Sequence, residues 1–285
     1  MTAAGGPAPH VDLHMHSTAS DGSRAPADVV RAASRAKLGV IALTDHDTVA
    51  GLPEAQRAGA ELGVRVIAGV ELSAVEGDTE THLLGLHLRD TSVLERGLGE
   101  LREMRERRAQ RIVERLEEIG VHITMDAVLL QAAAGAVGRP HVARALIAEG
   151  WAVDSRDAFD RYLAAGRPAY VPKEQLGMRD AIQMIHAAGG LAVLAHPAVA
   201  GTRERLTALR AQGLDGVEVK HPSHSSADTA RLGALARELD LVPSGGSDWH
   251  GAATGPRTIG MMQVPAEWLA QQEERLVGLG RAPAA

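Results

Sequence analysis

The chain has 285 residues, a formal charge of −6 at neutral pH, 45% hydrophobic residues and no cysteine. That length and apolar content suit one large domain, or a domain carrying an insert. The acidic balance excludes a protein that coats nucleic acid through bulk positive charge, and the missing cysteines exclude disulfides and thiolate metal sites.

Residues 1 to 9 are small and rich in Pro and Gly. They read as a disordered leader, with neither the basic nor the apolar stretch of a signal peptide. No apolar run approaches the roughly 20 residues of a membrane helix. A cytoplasmic protein without membrane contact is expected. His10 to His16 is predicted as the first strand. Pro26 opens a helix at its first turn, with Val29, Val30, Ala33 and Ala36 as the apolar stripe. Leu38 to Leu43 is the second strand, Pro53 to Leu62 a helix stopped by Gly63, and Val64 to Leu72 a third strand ending near Glu71. His82 opens a fourth, His82 to Leu88. This strand–helix rhythm predicts a parallel α/β body.

The rhythm breaks over residues 93 to 170. Leu94, Leu98, Leu101, Ile112, Leu116 and Ile119 recur at helical spacing, and shorter helices are expected at 126–133, 140–149 and 155–164. These residues form a predicted helical insert, a candidate substrate cap, on a body made of 10–92 and 171–285. Alternation then resumes: a helix at 178–188, strands at 191–195 and 216–219, a Ser-capped helix at 226–239, a strand at 241–244 and a last helix at 267–277.

Thirteen histidines are the anomaly in the composition, and many stand at the ends of apolar runs. In a strand, residues i and i+2 share a face, so His14 and His16 can reach one ion together. Asp21 follows on a Ser/Asp/Gly turn that can fold back over them. Asp45 and His46, Glu71, His82, His196, and Asp248 with His250 repeat the theme. In a barrel of parallel strands such ends meet at one face. Nine or ten ligands exceed what one ion takes and suit two or three. Imidazole and carboxylate without sulfur favour Mn²⁺, Zn²⁺ or Fe²⁺ over Ca²⁺.

The ordered set Asp12-Leu13-His14-x-His16, Ser20-Asp21-Gly22, Thr44-Asp45-His46-Asp47, Gly69-Val70-Glu71, His82, Ala195-His196-Pro197 and Gly246-Ser247-Asp248-Trp249-His250 resembles the PHP (polymerase and histidinol phosphatase) superfamily. The resemblance runs from about residue 10 to 255. It implies a distorted (β/α)7 barrel with two or three divalent metals. By motif, one ion falls to His14, His16, Glu71 and Asp248, a second to Asp21, His46 and His250, and a third to Glu71, His82 and His196. Many relatives carry His where this chain has Asp21.

The insert motifs Gly138-Arg139-Pro140-His141 and Pro168-Ala169-Tyr170-Val171-Pro172 look like the branch acting on nucleoside 3′,5′-bisphosphates and AMP-type nucleotides, whose relatives trim 5′ ends of short RNA. The implied reaction is hydrolysis of a phosphate monoester by a metal-bound hydroxide, with a small nucleotide or short RNA as the only partner. Exoribonuclease action is the alternative. Histidinol phosphatase and a non-catalytic metal module are weaker ones. Arg139, with a planar guanidinium, and His141, at a helix start, are candidate phosphate ligands. His224 is a candidate phosphate contact or acid for the leaving oxygen. Asp45 is either catalytic or a partner orienting His46. His10, His87, His122, His186 and His221 are expected to be ordinary packed or surface histidines. The Arg-rich run 102–115 is expected to be a solvated helix face.

Overall fold

Extended segments rich in Val, Ile and Leu build two sheets. In the computed structural model the described residues are 10–77, 79–132, 137–172 and 176–281; the expected leader at 1–9 lies outside them. The first sheet is parallel, in the order β1 (His10–Asp12), β2 (Leu38–Leu43), β3 (Arg65–Ala68). Its crossovers are α1 (Pro26–Arg35) and α2 (Leu52–Leu62). Helix α2 stops at Gly63, whose φ of 67° is left-handed and suits a residue without Cβ.

The second sheet runs in the order β4 (Val70–Glu76), β5 (Thr79–Leu86), β6 (Leu191–Leu194), β7 (Gly216–Lys220), β8 (Val242–Gly245). Here the all-parallel expectation fails. Strand β5 is antiparallel to both β4 and β6, and only β6–β7–β8 are parallel. A short hairpin joins β4 to β5, so no crossover helix intervenes. The expected single strand 64–72 is also divided, at Gly69. A Cβ there would come within 2.9 Å of the Leu43 carbonyl and 2.8 Å of Thr44 Cγ2. The chain can pass this point only as glycine, and it changes sheets there.

Single backbone bonds extend beyond the ladders. Leu13 N donates to Gly245 O (3.1 Å), and Asp248 N to His14 O (2.9 Å). At the other side Glu71 N donates to Asp45 O (3.2 Å), and Asp47 N to Glu71 O (2.9 Å). The result is a mixed α/β body whose ligand-bearing segments are tied to one another by their own backbone.

The chain divides into two compact units, one from Met1–Glu95 with Leu176–Ala285 and one from Arg96–Gln175. The second is helical: most of α3 (Thr91–Glu118), then α4 (Met125–Ala132), α5 (Arg139–Ala148) and α6 (Ser155–Ala158). The helix expected over 155–164 passes into a π-helical turn at Phe159–Leu163. Its core is aliphatic, with Ile112, Leu116, Val128, Val142, Leu146 and Leu163 buried. Arg108 is buried against it, and its Nε and Nη2 both donate to Val171 O.

In the α/β unit the remaining helices are α7 (Met178–Ala187), α8 (Arg203–Arg210), α9 (Ser226–Glu238) and α10 (Ala266–Gly278). The expected Ser cap of α9 is Ser225, which exchanges hydrogen bonds with Asp228 in a capping box. Leu269 and Leu276 of α10 join Val11, Leu13, Val40, Ile67, Leu84, Val193 and Val242 in one apolar cluster. No helix among the described residues is long and apolar enough to cross a membrane.

Candidate metal centre

The regular β1 ends at Asp12, earlier than the expected His16, but the chain stays extended through the His-x-His segment. Leu13 and Met15 are buried on one side, and His14 and His16 share the other. Gly246 makes room for this: a Cβ there would sit 2.4 Å from His14 N and Cβ. Glu71 enters from the start of β4, not from a strand end, and His82 from the middle of β5. His196 and Asp248 follow β6 and β8, with left-handed φ values of 29° and 50°. Backbone held in that region by non-glycine residues is stored strain, and it aims both side chains at the cluster.

The ligand atoms converge. His14 Nε2 lies 3.1 Å from His16 Nε2 and 3.0 Å from Glu71 Oε2, and His16 Nε2 is 3.1 Å from the same oxygen. Asp248 Oδ1 is 3.5 and 3.2 Å from the two imidazoles. His46 Nε2 approaches Glu71 Oε2 at 3.4 Å. The other Glu71 oxygen, Oε1, meets His82 Nδ1 at 3.1 Å and His196 Nε2 at 3.0 Å. Asp21 Oδ1 is 3.2 Å from His250 Nε2 and 3.6 Å from His16 Nδ1. Among the described residues, this geometry yields His14–His16–Glu71–Asp248, His16–Asp21–His46–His250 and His46–Glu71–His82 as groups able to hold a cation. All nine expected ligands thus lie in one cluster, with Glu71 at its middle.

These residues fit divalent ions. His14 Nε2 and His16 Nε2 crowd each other and the same Glu71 oxygen, an arrangement that a shared cation or extra proton satisfies, and His16 Nδ1 is buried without a hydrogen-bond partner. The electrostatics agree. Burial opposes charge on His14, but the Glu71 and Glu218 carboxylates override it and hold its pKa well above the usual imidazole range. Burial likewise opposes charge on His16, and bonds to Asp248 and Glu71 raise it. For Glu71 and Asp248 burial favours the neutral acid, yet the surrounding imidazoles hold both carboxyls below the usual range. His46 is lowered by burial, only partly offset by Glu71. Protons on histidines stand where a cation's charge would otherwise be.

Several supporting residues escape sequence reasoning. Glu218, fully buried on β7, accepts from His14 Nδ1 (3.1 Å) through Oε1 and from His196 N (2.7 Å) through Oε2. It orients one ligand imidazole and the backbone of another. His221, expected to be an ordinary histidine, is buried and places Nε2 3.3 Å from Asp248 Oδ2. Asp12 accepts from Ser247 N (2.9 Å) and Gly260 N (3.2 Å), pinning the segment that carries Asp248. The signal for Glu218 was a carboxylate inside the apolar run Val217-Glu218-Val219, readable only once every residue of that run proved buried or nearly so.

Two sequence-predicted residues stand elsewhere. The Asp45 carboxylate accepts from Ser17 N (2.6 Å), Ser17 Oγ (2.7 Å) and Ser20 Oγ (2.8 Å). It orders the turn that carries Asp21, a role different from the expected orientation of His46. His224 bonds Val219 O through Nδ1 (3.0 Å), and its Nε2 accepts from Ala198 N (3.1 Å). Both ring nitrogens are thereby committed to the backbone, which makes it a tie between two loops. His87 bonds Gln272 and His186 bonds Asp215, inside the body.

In the helical unit, Arg139 lies over the rings of Phe159 and Tyr170, 5.5 and 5.6 Å from their centroids, and donates to Leu163 O. His141 Nδ1 accepts from Gly138 N (2.9 Å) and caps its own helix. Along α3, Arg107 pairs with Glu103 at 3.3 Å, and Arg115 donates to Tyr170 O.

Fold and ligand cluster together define a metal-dependent phosphoesterase architecture, and comparison with known proteins names the family. The PHP domain model matches residues 12–167, over half of the chain, and the chain belongs to that family. It is 38% identical to a 5′-3′ exoribonuclease of Haemophilus influenzae, over 84% of this chain and 89% of that protein. It is equally 38% identical to a 3′,5′-nucleoside bisphosphate phosphatase of Chromobacterium violaceum, over 88% and 90%. A crystal structure from Bifidobacterium adolescentis, described as of a metal-dependent phosphoesterase, superposes with a TM-score of 0.69 at 33% identity, over 95% of this chain and 99% of that one.

Proposed function

We propose that the protein is a metal-dependent phosphoesterase that hydrolyses a phosphate monoester of a small nucleotide, a nucleoside 3′,5′-bisphosphate or an AMP-like compound. The observation that carries this is the convergence of His14, His16, Asp21, His46, Glu71, His82, His196, Asp248 and His250 on one sulfur-free cluster bridged by Glu71. His14, His16, Glu71 and Asp248 would hold one ion; Asp21, His46 and His250 a second; Glu71, His82 and His196 a third, with Mn²⁺, Zn²⁺ or Fe²⁺ suited to the donors. When bound, such ions supply a nucleophilic water at neutral pH and screen the phosphate's charge.

The protein's own groups prepare that site. Glu218 fixes the His14 ring, Asp12 holds the loop that presents Asp248, and Asp45 shapes the turn that presents Asp21. Burial keeps competing water away from these groups and strengthens their electrostatics. The two sheets are read as arcs of a distorted (β/α)7 barrel, supported by the backbone bonds that run past both ladders. In the helical unit, Arg139 and His141 remain the candidates for substrate phosphate.

The 5′→3′ exoribonuclease reading is kept as second, because the H. influenzae relative carries that name and is as similar as the phosphatase. Phosphate and nucleotide release from adenosine 3′,5′-bisphosphate, AMP and a 5′-phosphorylated short RNA, with Mn²⁺ and after chelation, decides between them. Selective turnover of the bisphosphate is expected. Stepwise mononucleotide release from the RNA would favour the second reading. No turnover with any divalent ion would overturn both.

A further inference from the structure

Asp248 uses its two oxygens differently. Oδ1 faces the His14, His16 and His250 rings, whereas Oδ2 takes Arg257 Nη1 at 2.6 Å and His221 Nε2 at 3.3 Å. The carboxylate is buried, with 7% of its side chain exposed, while the Arg257 side chain is 48% exposed. A cation therefore stands on the solvent side of a metal-centre carboxylate, in the same unit as the whole cluster. It is not loosely hung. Arg257 lies in the turn Gly255–Thr258, closed by Thr258 N and Oγ1 on Gly255 O, with Gly255 at a left-handed φ of 104°. The loop is anchored on one side by Trp249 Nε1 donating to Ala252 O (2.8 Å) and on the other by Gly260 N donating to Asp12 Oδ2 (3.2 Å).

We infer that Arg257 is a substrate-phosphate ligand that reaches the metal centre from the rim of the α/β unit. A guanidinium offers five N–H donors in a rigid fork, and the recorded pair with Asp248 engages Nη1. With half the side chain open to solvent, the fork retains donors for the non-bridging oxygens of a phosphate bound at the cluster. Asp248 serves as its pivot: a short ion pair sets the position of the fork before substrate arrives, which lowers the ordering needed on binding. His221 on the same oxygen keeps that pivot in place. The contact is sequence-independent with respect to nucleotide, so it serves a bisphosphate and a 5′-phosphorylated end alike.

This inference rests on the phosphoesterase reading, and its test is arranged so that the two fail separately. Wild type, Arg257→Ala and Arg257→Lys are loaded with Mn²⁺. Bound Mn²⁺ is counted, inorganic phosphate affinity is measured by calorimetry, and kcat and KM are measured on adenosine 3′,5′-bisphosphate. With Ala, phosphate affinity is expected to weaken and KM to rise by roughly 10- to 100-fold, as for loss of a charge-assisted hydrogen bond, while Mn²⁺ content stays that of wild type. Lys restores part of the loss. Unchanged phosphate affinity in Arg257→Ala overturns the inference, whether or not Mn²⁺ is lost; loss of Mn²⁺ alone would make Arg257 only a positioning residue for Asp248. Should the wild type turn over no monoester, the substrate reading fails, and the calorimetric comparison still decides on Arg257.

Discussion

The two units of this chain both bury apolar cores, but only the α/β unit also buries a dense cluster of imidazoles and carboxylates. The helical unit closes on Ile112, Leu116, Val128, Val142, Leu146 and Leu163, with Arg108 as a buried charge satisfied by a backbone carbonyl. The α/β unit buries His14, His16, Glu71, Glu218 and Asp248 against one another. Aliphatic burial stabilises in proportion to area. Burial of imidazoles and carboxylates is costly unless each finds a partner, and the partners here are mostly each other. The helical unit is thus organised for stability alone, while the α/β unit adds to its apolar core a costly cluster that a bound cation would satisfy.

Substitutions should therefore separate metal content from stability. The largest effect is expected from Glu71→Gln, which removes the charge shared by two of the three ligand groups. Phosphate release should fall by on the order of 10³-fold, several kcal/mol of transition-state stabilisation, with bound metal counted in parallel. A variant that keeps its metal and rate would break the comparison. Leu146→Ala in the helical core should lower unfolding free energy by about 2–5 kcal/mol in a denaturant titration while leaving Mn²⁺ content intact.

Glu218→Gln tests whether a carboxylate behind the cluster matters. It keeps the shape of the side chain but loses its charge, and Mn²⁺ affinity is expected to drop by about 10- to 100-fold. A titration showing wild-type affinity would reduce Glu218 to packing.

The pH dependence sharpens the contrast further. In metal-free protein the raised pKa values of His14, His16 and His82 contribute stability that is present in acid and lost as pH rises through their folded values. The depressed pKa values of Glu71, Asp248 and Glu218 contribute stability that is present above the ordinary carboxylate range and lost as pH falls. Metal-free protein should then melt highest between those limits, and Mn²⁺ binding should release protons at neutral pH and tighten as pH rises. Calorimetry in buffers of different ionisation enthalpy reads the proton count; zero release would contradict the charged state of His14. The smallest effect is expected from Arg107→Ala on the exposed face of α3, under about 0.5 kcal/mol in the same denaturant titration.

Most of the ligand set was legible because strand spacing and apolar flanks are local signals. His14 and His16 sit two residues apart, and His196 and Asp248 each follow an apolar run. The strand plan was less legible. Glu71 and His82 read as strand ends, yet they lie at the start of β4 and within β5, because Gly69 lets the chain change sheets and a hairpin replaces a crossover. Residues that work through others left little local trace. Glu218 hides in an apolar run, His221 looks like any surface histidine, and Arg257 lies in a turn without periodicity.

By itself, then, the sequence determined the family and the order of residue types able to bind, since ligand chemistry and short-range spacing are written along the chain. Tertiary structure alone decided which oxygen of Glu71 meets which histidine, that Asp45 and His224 serve the backbone, and that Glu218, His221 and Arg257 join the centre. Some of these contacts join residues only five to nine positions apart in irregular loops, such as His224 with Val219 and Arg257 with Asp248, and others join residues up to 204 apart, such as His14 with Glu218; all of them depend on loop conformations that the packed sheets set.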